Sequence, residues 1–358
     1  PRWKILNDDI HFISASNVIA AGGLNKSPDI LIGGPPCQPF SKSSLWRNGR
    51  TLRLNDPRAN TLVEYFRMVR NLKPRVFVLE NVPGILEKNK TEELNFINRE
   101  VYNINSLLGT KYKLSWKILN SAEFGVPQTR HRAFFVGIRD GQRFHFPEPT
   151  HCDVDNEDRN NLDIYRTAWD AIGDLPQKIE DGKYKIGGQW ADLLPTIPEG
   201  HNYSWHTNRG GGVSLFGWRT RYWSFLLKLA KNRPSWTIQA QPGSATGPFH
   251  WCNRRLTNTE LCRLQTFPSN AQFDVESNAQ LLLGNAVPSL LAEVLARSIG
   301  TQVFGFKFQG PPKLSTPVRT PVPRPERRQP LPKKYLDLIR NYADHPGPGR
   351  GPLYESTR

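Results

Sequence analysis

Two short apolar runs, each ending in residues able to do chemistry, constrain this chain more than anything else in it. Asp29-Ile30-Leu31-Ile32-Gly33-Gly34 runs into a proline-flanked loop, and Arg75-Val76-Phe77-Val78-Leu79 runs into Glu80 and Asn81. Apolar runs of this length, bounded by turn residues, read as buried strands of a parallel sheet. Between them, Leu62, Tyr65, Phe66, Val69 and Leu72 share one face of a helix starting near Thr61. Thr61 and Glu64 have capping-box spacing, and Pro74 stops the helix. A second helix is predicted over Thr91–Leu108, with further strands over Leu114–Leu119 and Ala133–Ile138. Strands alternating with helices imply a parallel sheet with ligands outside its carboxyl ends. The Cys37 loop and Glu80 both stand at such ends.

From Lys178 to Trp251 glycines, aromatics and basic residues crowd together, which predicts a second, irregular or β domain. A last amphipathic helix carries Val287, Leu290, Leu291, Val294, Leu295 and Ile299. The expected division is a first domain over 1–177 and 254–306, a second over 178–253, and a basic tail over 307–358. Eleven prolines among residues 311–358 predict disorder there, apart from Lys333–Ala343. The formal charge is +16, of which residues 311–358 supply +6. The rest lies in the body and points to a polyanionic partner, since each neutralised phosphate releases counterions. No stretch reads as the ~20 apolar residues of a membrane span. Cys37, Cys152, Cys252 and Cys262 include no CxxC pair, so no metal site is expected. The opening Pro1, with one Met in the chain, reads as a boundary inside a longer protein.

Three short motifs carry the candidate chemistry. In Gly33-Gly34-Pro35-Pro36-Cys37-Gln38-Pro39-Phe40-Ser41 a thiol sits in a rigid turn after a strand, where helix termini or basic neighbours favour a thiolate. A small buried residue in a tight turn is the competing local reading. Glu80 ends the next strand, where poor solvation suits a carboxyl to hold and donate a proton; a strand-end salt bridge is the alternative. In Gln128-Thr129-Arg130-His131-Arg132, alternation predicts both arginines on one face, where guanidinium forks suit phosphate or a carbonyl oxygen. An ordinary basic strand edge explains them locally as well.

These motifs are followed by Arg255-Leu256-Thr257 with Glu260, Leu264-Gln265-Thr266-Phe267-Pro268, and Gly284-Asn285-Ala286-Val287-Pro288. In that order the set resembles the C5-cytosine-specific DNA methyltransferase family over about residues 5 to 300. The resemblance implies an α/β fold: a Rossmann-like S-adenosylmethionine-dependent methyltransferase sheet with a smaller target-recognition domain. It implies a cytosine in duplex DNA as substrate, flipped from the helix, and S-adenosylmethionine as donor.

By the same resemblance Cys37 is the nucleophile toward cytosine C6, with Gln38 beside it, and Glu80 is the acid at N3. Asn81 positions the loop, Arg132 faces the cytosine O2, and Arg130 is its partner nearer the backbone. Asp9, Ile10, Pro36, Leu62, Asn285 and Val287 match donor-binding positions. The basic loop after the cysteine, with Ser41, Arg47, Arg50 and Arg53, is expected on DNA. Arg209, Arg219, Arg221, Gln239 and Gln241 are candidate groove contacts.

One departure stands out. The family's glycine-rich first motif precedes the region where this chain starts, and Phe304-Gly305-Phe306 does not replace it. The first sheet strands are therefore expected to be missing from the chain, or supplied by a second one. An inactive DNA-binding fragment and a tRNA methylase are the competing functions. The compact motif set looks bacterial or phage-like, in a restriction-modification or related system.

Overall fold

The structure, a computed structural model, describes residues 4–35, 60–86, 91–157, 161–218, 222–271 and 278–340. In it the two apolar runs become neighbouring parallel strands, β1 (Ile30–Gly33) and β2 (Val76–Asn81), with Gly33 opposite Leu79. Two further strands, β3 (Lys113–Asn120) and β4 (His131–Ile138), complete a sheet of order β1-β2-β4-β3. The sheet is mixed, which corrects the expectation of a parallel one: β4 runs antiparallel to both β2 and β3. The cause is the connection. The link between β3 and β4 is shorter than the dozen or more residues a parallel crossover requires, so the chain turns back.

The helices before and between these strands are α1 (Ala15–Ala21), α2 (Asn60–Leu72) and α3 (Thr91–Leu108). Helix α2 starts one residue before the predicted Thr61, and Glu64 pairs with Arg67 within it. Its apolar face (Leu62, Tyr65, Phe66, Val69) packs with Phe77 and Leu79 of β2, Phe96, Ile97, Val101 and Ile104 of α3, and Phe135 of β4. Gly33 is required here, because a Cβ at that position would stand 2.5 Å from the Tyr65 ring. The Tyr65 hydroxyl donates to the Val78 carbonyl at 2.8 Å, which fixes the ring. Strand β1 departs from the sequence expectation of full burial, with Ile32 72% exposed. Among the described residues β1 pairs only with β2, so its outer edge has no cover.

The described residues fall into two compact units. One lies within Pro1–Asn120, His131–Glu148 and Leu295–Gln309, and the other within Ser121–Arg130, Pro149–Val294 and Gly310–Arg358. The first holds the sheet. The second begins well before Lys178 and takes in residues 254–294, so it is larger than the predicted recognition domain. It carries the short pair β5 (His151–Cys152) and β6 (Asp163–Ile164) and helices α4 (Ala168–Ile172), α5 (Asn258–Leu264) and α6 (Ala279–Asn285). Its first core explains the difference, since Ala168, Ile172, Leu229, Ile238, Trp251, Leu261, Leu264 and Leu283 pack as one cluster.

The tail is also corrected. The expected disorder does not hold for 311–332, which belongs to the second unit, where the Arg319 N–H donates to Asp170 Oδ1 and the Gln329 N–H to the Pro195 carbonyl. Tyr335, in the segment excepted from disorder, is buried in a second core with Leu193, Ile197, Tyr203 and Phe249. Proline-rich composition rules out a core of the tail's own, but not a place on someone else's. A last helix, α7 (Ser289–Phe304), follows α6 after Ala286–Pro288. Ala279–Phe304 does meet a membrane span's length and apolar character, against the sequence expectation. It comprises two helices, and Leu283, Leu290, Leu291, Leu295 and Ile299 are buried in the fold.

Candidate active site

The first unit brings three of the predicted residues together at the carboxyl end of β2. Parallel pairing of Gly33 with Leu79 sets the next residues, Gly34 and Glu80, side by side. A Cβ at Gly34 would lie 3.2 Å from Glu80 Oε2, so the loop leaves β1 directly against the carboxylate. From the neighbouring strand β4, Arg132 reaches the same group, its Nε 2.9 Å from Glu80 Oε1. Both side chains are largely shielded, Arg132 at 14% and Glu80 at 18% exposure. Arg132 Nη1 donates to the His131 carbonyl at 2.7 Å, which limits its rotation.

Asn81 is buried and its Oδ1 accepts the Val82 N–H at 2.8 Å, holding the turn after the strand. The result is a carboxyl able to exchange a proton beside a guanidinium able to grip an oxygen, both in a shielded place where such contacts count for more than in water. Cys37, Gln38 and Pro36 lie outside the described residues, as do Ser41, Arg47, Arg50 and Arg53.

Arg130 corrects the expectation that two arginines in Gln128-x-Arg130-x-Arg132 share one face. Arg130 precedes β4, is fully buried in the second unit, and donates to the Ile238 carbonyl at 3.3 Å and the Gly284 carbonyl at 2.7 Å. Strand alternation does not apply to it because the strand has not yet begun. Its neighbour Gln128 accepts the Ile238 N–H at 3.0 Å and donates to the Leu264 carbonyl at 3.4 Å. Gln265 donates to the Leu283 carbonyl. Gly284 suits this crossing, since a Cβ there would come within 2.3 Å of the Ala240 backbone. Motifs far apart in the chain therefore meet in buried hydrogen bonds, with Arg130 bridging the Ile238 and Gly284 carbonyls.

The donor-binding candidates divide between the units. In the first, Arg67 of α2 donates to the carbonyls of Ile10 at 2.7 Å and Ile13 at 2.9 Å, tying the Asp9-Ile10 segment to the helix that carries Leu62. Asp9 is exposed and accepts from the His11 N–H and ring nitrogen, which hold its carboxyl below the usual carboxylate range. A fixed acceptor beside the half-buried Ile10 suits the amine and face of an adenine, so these residues fit part of an S-adenosylmethionine site. Leu62 itself is buried in the core of the unit. In the second unit Asn285 is exposed and Val287 half-buried.

Of the DNA-contact candidates, Arg209 is exposed with its guanidinium 3.7 Å above the Trp218 ring. Gln241 is exposed, and Gln239 is half-buried with its carbonyl taken by Gln280. Arg219 and Arg221 lie outside the described residues. Sequence reasoning missed a cleft of about 360 Å³ in the second unit, lined by Thr129, Asp153, Gly200, Asn232, Arg233 and Trp236. The crowding of aromatic and basic residues was its only trace in the sequence.

Comparison with known proteins gives a consistent result. The profile of the C-5 cytosine-specific DNA methylase family matches residues 3–301. Type II methyltransferase M.SacI of Streptomyces achromogenes is 41% identical over 318 residues, covering 85% of this chain and 80% of that protein. Type II methyltransferase M.NgoFVII of Neisseria gonorrhoeae is 35% identical over 277 residues, covering 76% and 69%. Among solved structures, a putative DNA modification methyltransferase from an Escherichia coli prophage superposes with a TM-score of 0.53 at 22% identity, covering 84% of this chain and 86% of that one. The Dnmt2 methyltransferase of S. pombe superposes with a TM-score of 0.51 at 17% identity, covering 84% of each.

Proposed function

This chain belongs to the C-5 cytosine-specific DNA methylase family, and on that premise we propose that it methylates C5 of cytosine within a specific duplex DNA sequence as the modification half of a type II restriction-modification system. The carrying observation is the juxtaposition of Gly34, Glu80 and Arg132 at the ends of β1 and β2. It brings the end of the strand that leads toward Cys37, a carboxyl and a guanidinium to one place, which supports a site able to activate a cytosine ring.

Cytosine C5 is too weak a nucleophile to take a methyl group unaided. Cys37, as thiolate, adds to C6 and pushes electron density toward C5. Glu80 donates a proton to N3, so the adduct carries no net negative charge on the ring. Arg132 holds the O2 oxygen and, paired with Glu80, keeps the carboxyl aimed. S-adenosylmethionine, when bound, supplies an electrophilic methyl group, and Asp9 and Ile10 are the described residues of the first unit that would hold its adenine. Once C5 is methylated, the C5 proton passes to water, the Cys37 thiolate departs and N3 returns its proton to Glu80, which restores the aromatic ring. The target base must leave the stack to reach these groups. Asn81 and Arg130 act by positioning, one on the turn after β2 and one within the second unit.

The finer reading, that a further strand pairs with β1, is supported by the bare outer edge of β1 and the exposed Ile30 and Ile32. That strand comes from the same protein or from a second chain.

The test is radiolabelled methyl transfer to mixed-sequence duplex DNA by this chain and by Cys37→Ala, with bisulfite sequencing of the product. Transfer by the wild type that the variant lacks is the expected result. Transfer retained by Cys37→Ala overturns the mechanism. Transfer to tRNA in place of duplex DNA overturns the substrate.

A further inference from the structure

The tail is the part of the chain that the family profile does not reach, since the match ends at residue 301. Its described part is fastened along the second unit at successive points. The Arg319 N–H donates to Asp170 Oδ1 at 2.7 Å, and its guanidinium lies 3.0 Å from Asp174 Oδ2. Lys231 Nζ sits 2.7 Å from Glu199 and 2.9 Å from Glu326, with the Lys231 and Glu199 side chains each only 4% exposed. Further along, the Gln329 N–H donates to the Pro195 carbonyl at 3.0 Å. At the far end the Tyr335 hydroxyl donates to the Gln189 carbonyl at 2.7 Å, and its ring stacks on Trp190 with centroids 6.0 Å apart.

Pro321, Pro323, Pro325, Pro330 and Pro332 fix backbone angles between these anchors and keep the segment extended. This is a strap with a defined course. Structure alone does not explain its charge. Arg319 and Lys334 serve as anchors against acidic residues, but Arg328 faces outward.

What surrounds Arg328 gives it a use. Its guanidinium lies 4.9 Å over the Trp205 ring, and the His201 ring meets Trp205 edge-on at 5.3 Å. Burial of His201, with the charges of Arg233 and Arg328 close by, pushes its ring below the usual imidazole value. Both arginines therefore flank the same histidine. Among the described residues neither Arg233 nor Arg328 has a carboxylate partner. An exposed guanidinium held over the Trp205 ring, with the exposed Arg233 close to the same histidine, in a chain of net charge +16, matches phosphate, which a planar fork can grip through two bonds. Arg233 also lines the cleft with Asp153 and Asp155. Those carboxylates disfavour a phosphate within the cleft by like-charge repulsion.

We propose that the C-terminal strap is a DNA-binding element, in which Arg328 together with Arg233 grips phosphates of the duplex outside the target base. The proposal rests on the reading of this chain as acting on duplex DNA. It adds a segment that lies beyond the family match.

The experiment is the salt dependence of binding to a non-specific duplex, measured with the full chain and with Arg328→Gln, Arg233→Gln and the double variant. Each phosphate contact contributes about 0.9 to the slope of log K against log salt. Each single variant is expected to lower the slope by about 1, and the double variant by about 2, with kcat at saturating DNA unchanged. Lys307→Gln, an equal loss of charge in the other unit, is expected to leave the slope alone. Arg328→Lys keeps the charge and is expected to keep most of the slope, which guards against a Gln variant that fails to fold.

A double variant with wild-type slope and affinity overturns the proposal. So does a Lys307→Gln effect as large as that of Arg328→Gln. Failure of the underlying reading looks different, because the wild-type chain would then fail to bind duplex DNA even at low salt.

Discussion

Arg130 and Arg132 are two residues apart and chemically identical, yet the structure gives them opposite jobs, and replacing each by Met separates those jobs. Arg130 is fully buried and makes charge-assisted bonds to the Ile238 and Gly284 carbonyls. Hydrogen bonds to charged groups contribute about 1.5–3 kcal/mol each. Arg130→Met therefore costs about 3–6 kcal/mol, a large share of the ~5–15 kcal/mol that holds a domain folded. Arg132 instead pairs with Glu80, and both side chains are shielded but keep some exposure. Water can take part of its place, so Arg132→Met costs about 1–2 kcal/mol of stability, less than Arg130→Met. Its loss should show in catalysis, where removing one preorganised electrostatic donor lowers kcat about 10²–10³-fold.

Urea unfolding followed by tryptophan fluorescence measures the first effect, since Trp169, Trp190, Trp205, Trp236 and Trp251 all report on the second unit. Methyl transfer at saturating DNA measures the second. Wild-type unfolding of Arg130→Met with strongly reduced turnover would refute the positioning role of Arg130. A loss of 3 kcal/mol in Arg132→Met with near-normal turnover would refute the division altogether.

Four further outcomes are expected. Gly33→Ala pushes a methyl group into the Tyr65 ring and costs about 1–3 kcal/mol by overpacking; Gly33→Ala with Tyr65→Leu should recover part of that loss in thermal melts. Tyr335→Ala removes a buried aromatic ring and costs about 3–5 kcal/mol, and limited proteolysis should then cut within residues 311–340 faster than in the wild type.

Lys228 is buried, with its pKa lowered to about 8 chiefly by desolvation. From about pH 8 upward the unfolded chain binds a proton there that the folded chain does not, so stability rises with pH. Cys252 and Cys262, both raised by burial, oppose that gain above about pH 9, and Tyr65 and Tyr112 do so above about pH 10. The rise between about pH 8 and 10 should flatten in Lys228→Met, and an unchanged slope would count against it. His250, fully buried and pushed down to about 2 by desolvation, acts at the other end. Below about pH 6.5 only the unfolded chain takes up its proton, so stability falls with falling pH. His250→Asn should show a shallower acid loss in urea midpoints between pH 7 and 5.

The sequence by itself determined the family and the order of its chemistry. Cys37 in its Pro-flanked turn, Glu80 at a strand end, and the glutamine-arginine motif demand particular residue types at fixed local spacings, and local spacing is written in the chain. Two helices of the sheet unit, α2 and α3, and its four strands were legible for the same reason: their apolar periods depend on neighbours a few residues away. Tertiary structure alone decided the rest. Strand β4 reverses because its connection from β3 is short, and no residue pattern in β4 itself carries that information. Arg130 and Arg132 differ because the first meets a carbonyl 154 residues away in sequence while the second meets Glu80 across the sheet. The proline-rich tail reads as disordered by composition, but composition measures only the core a segment can build for itself. Arg319 instead bonds to Asp170, and Glu326 completes an ion cluster with Glu199 and Lys231. Pairing of that kind depends on what lies across the fold, and a linear sequence does not state it.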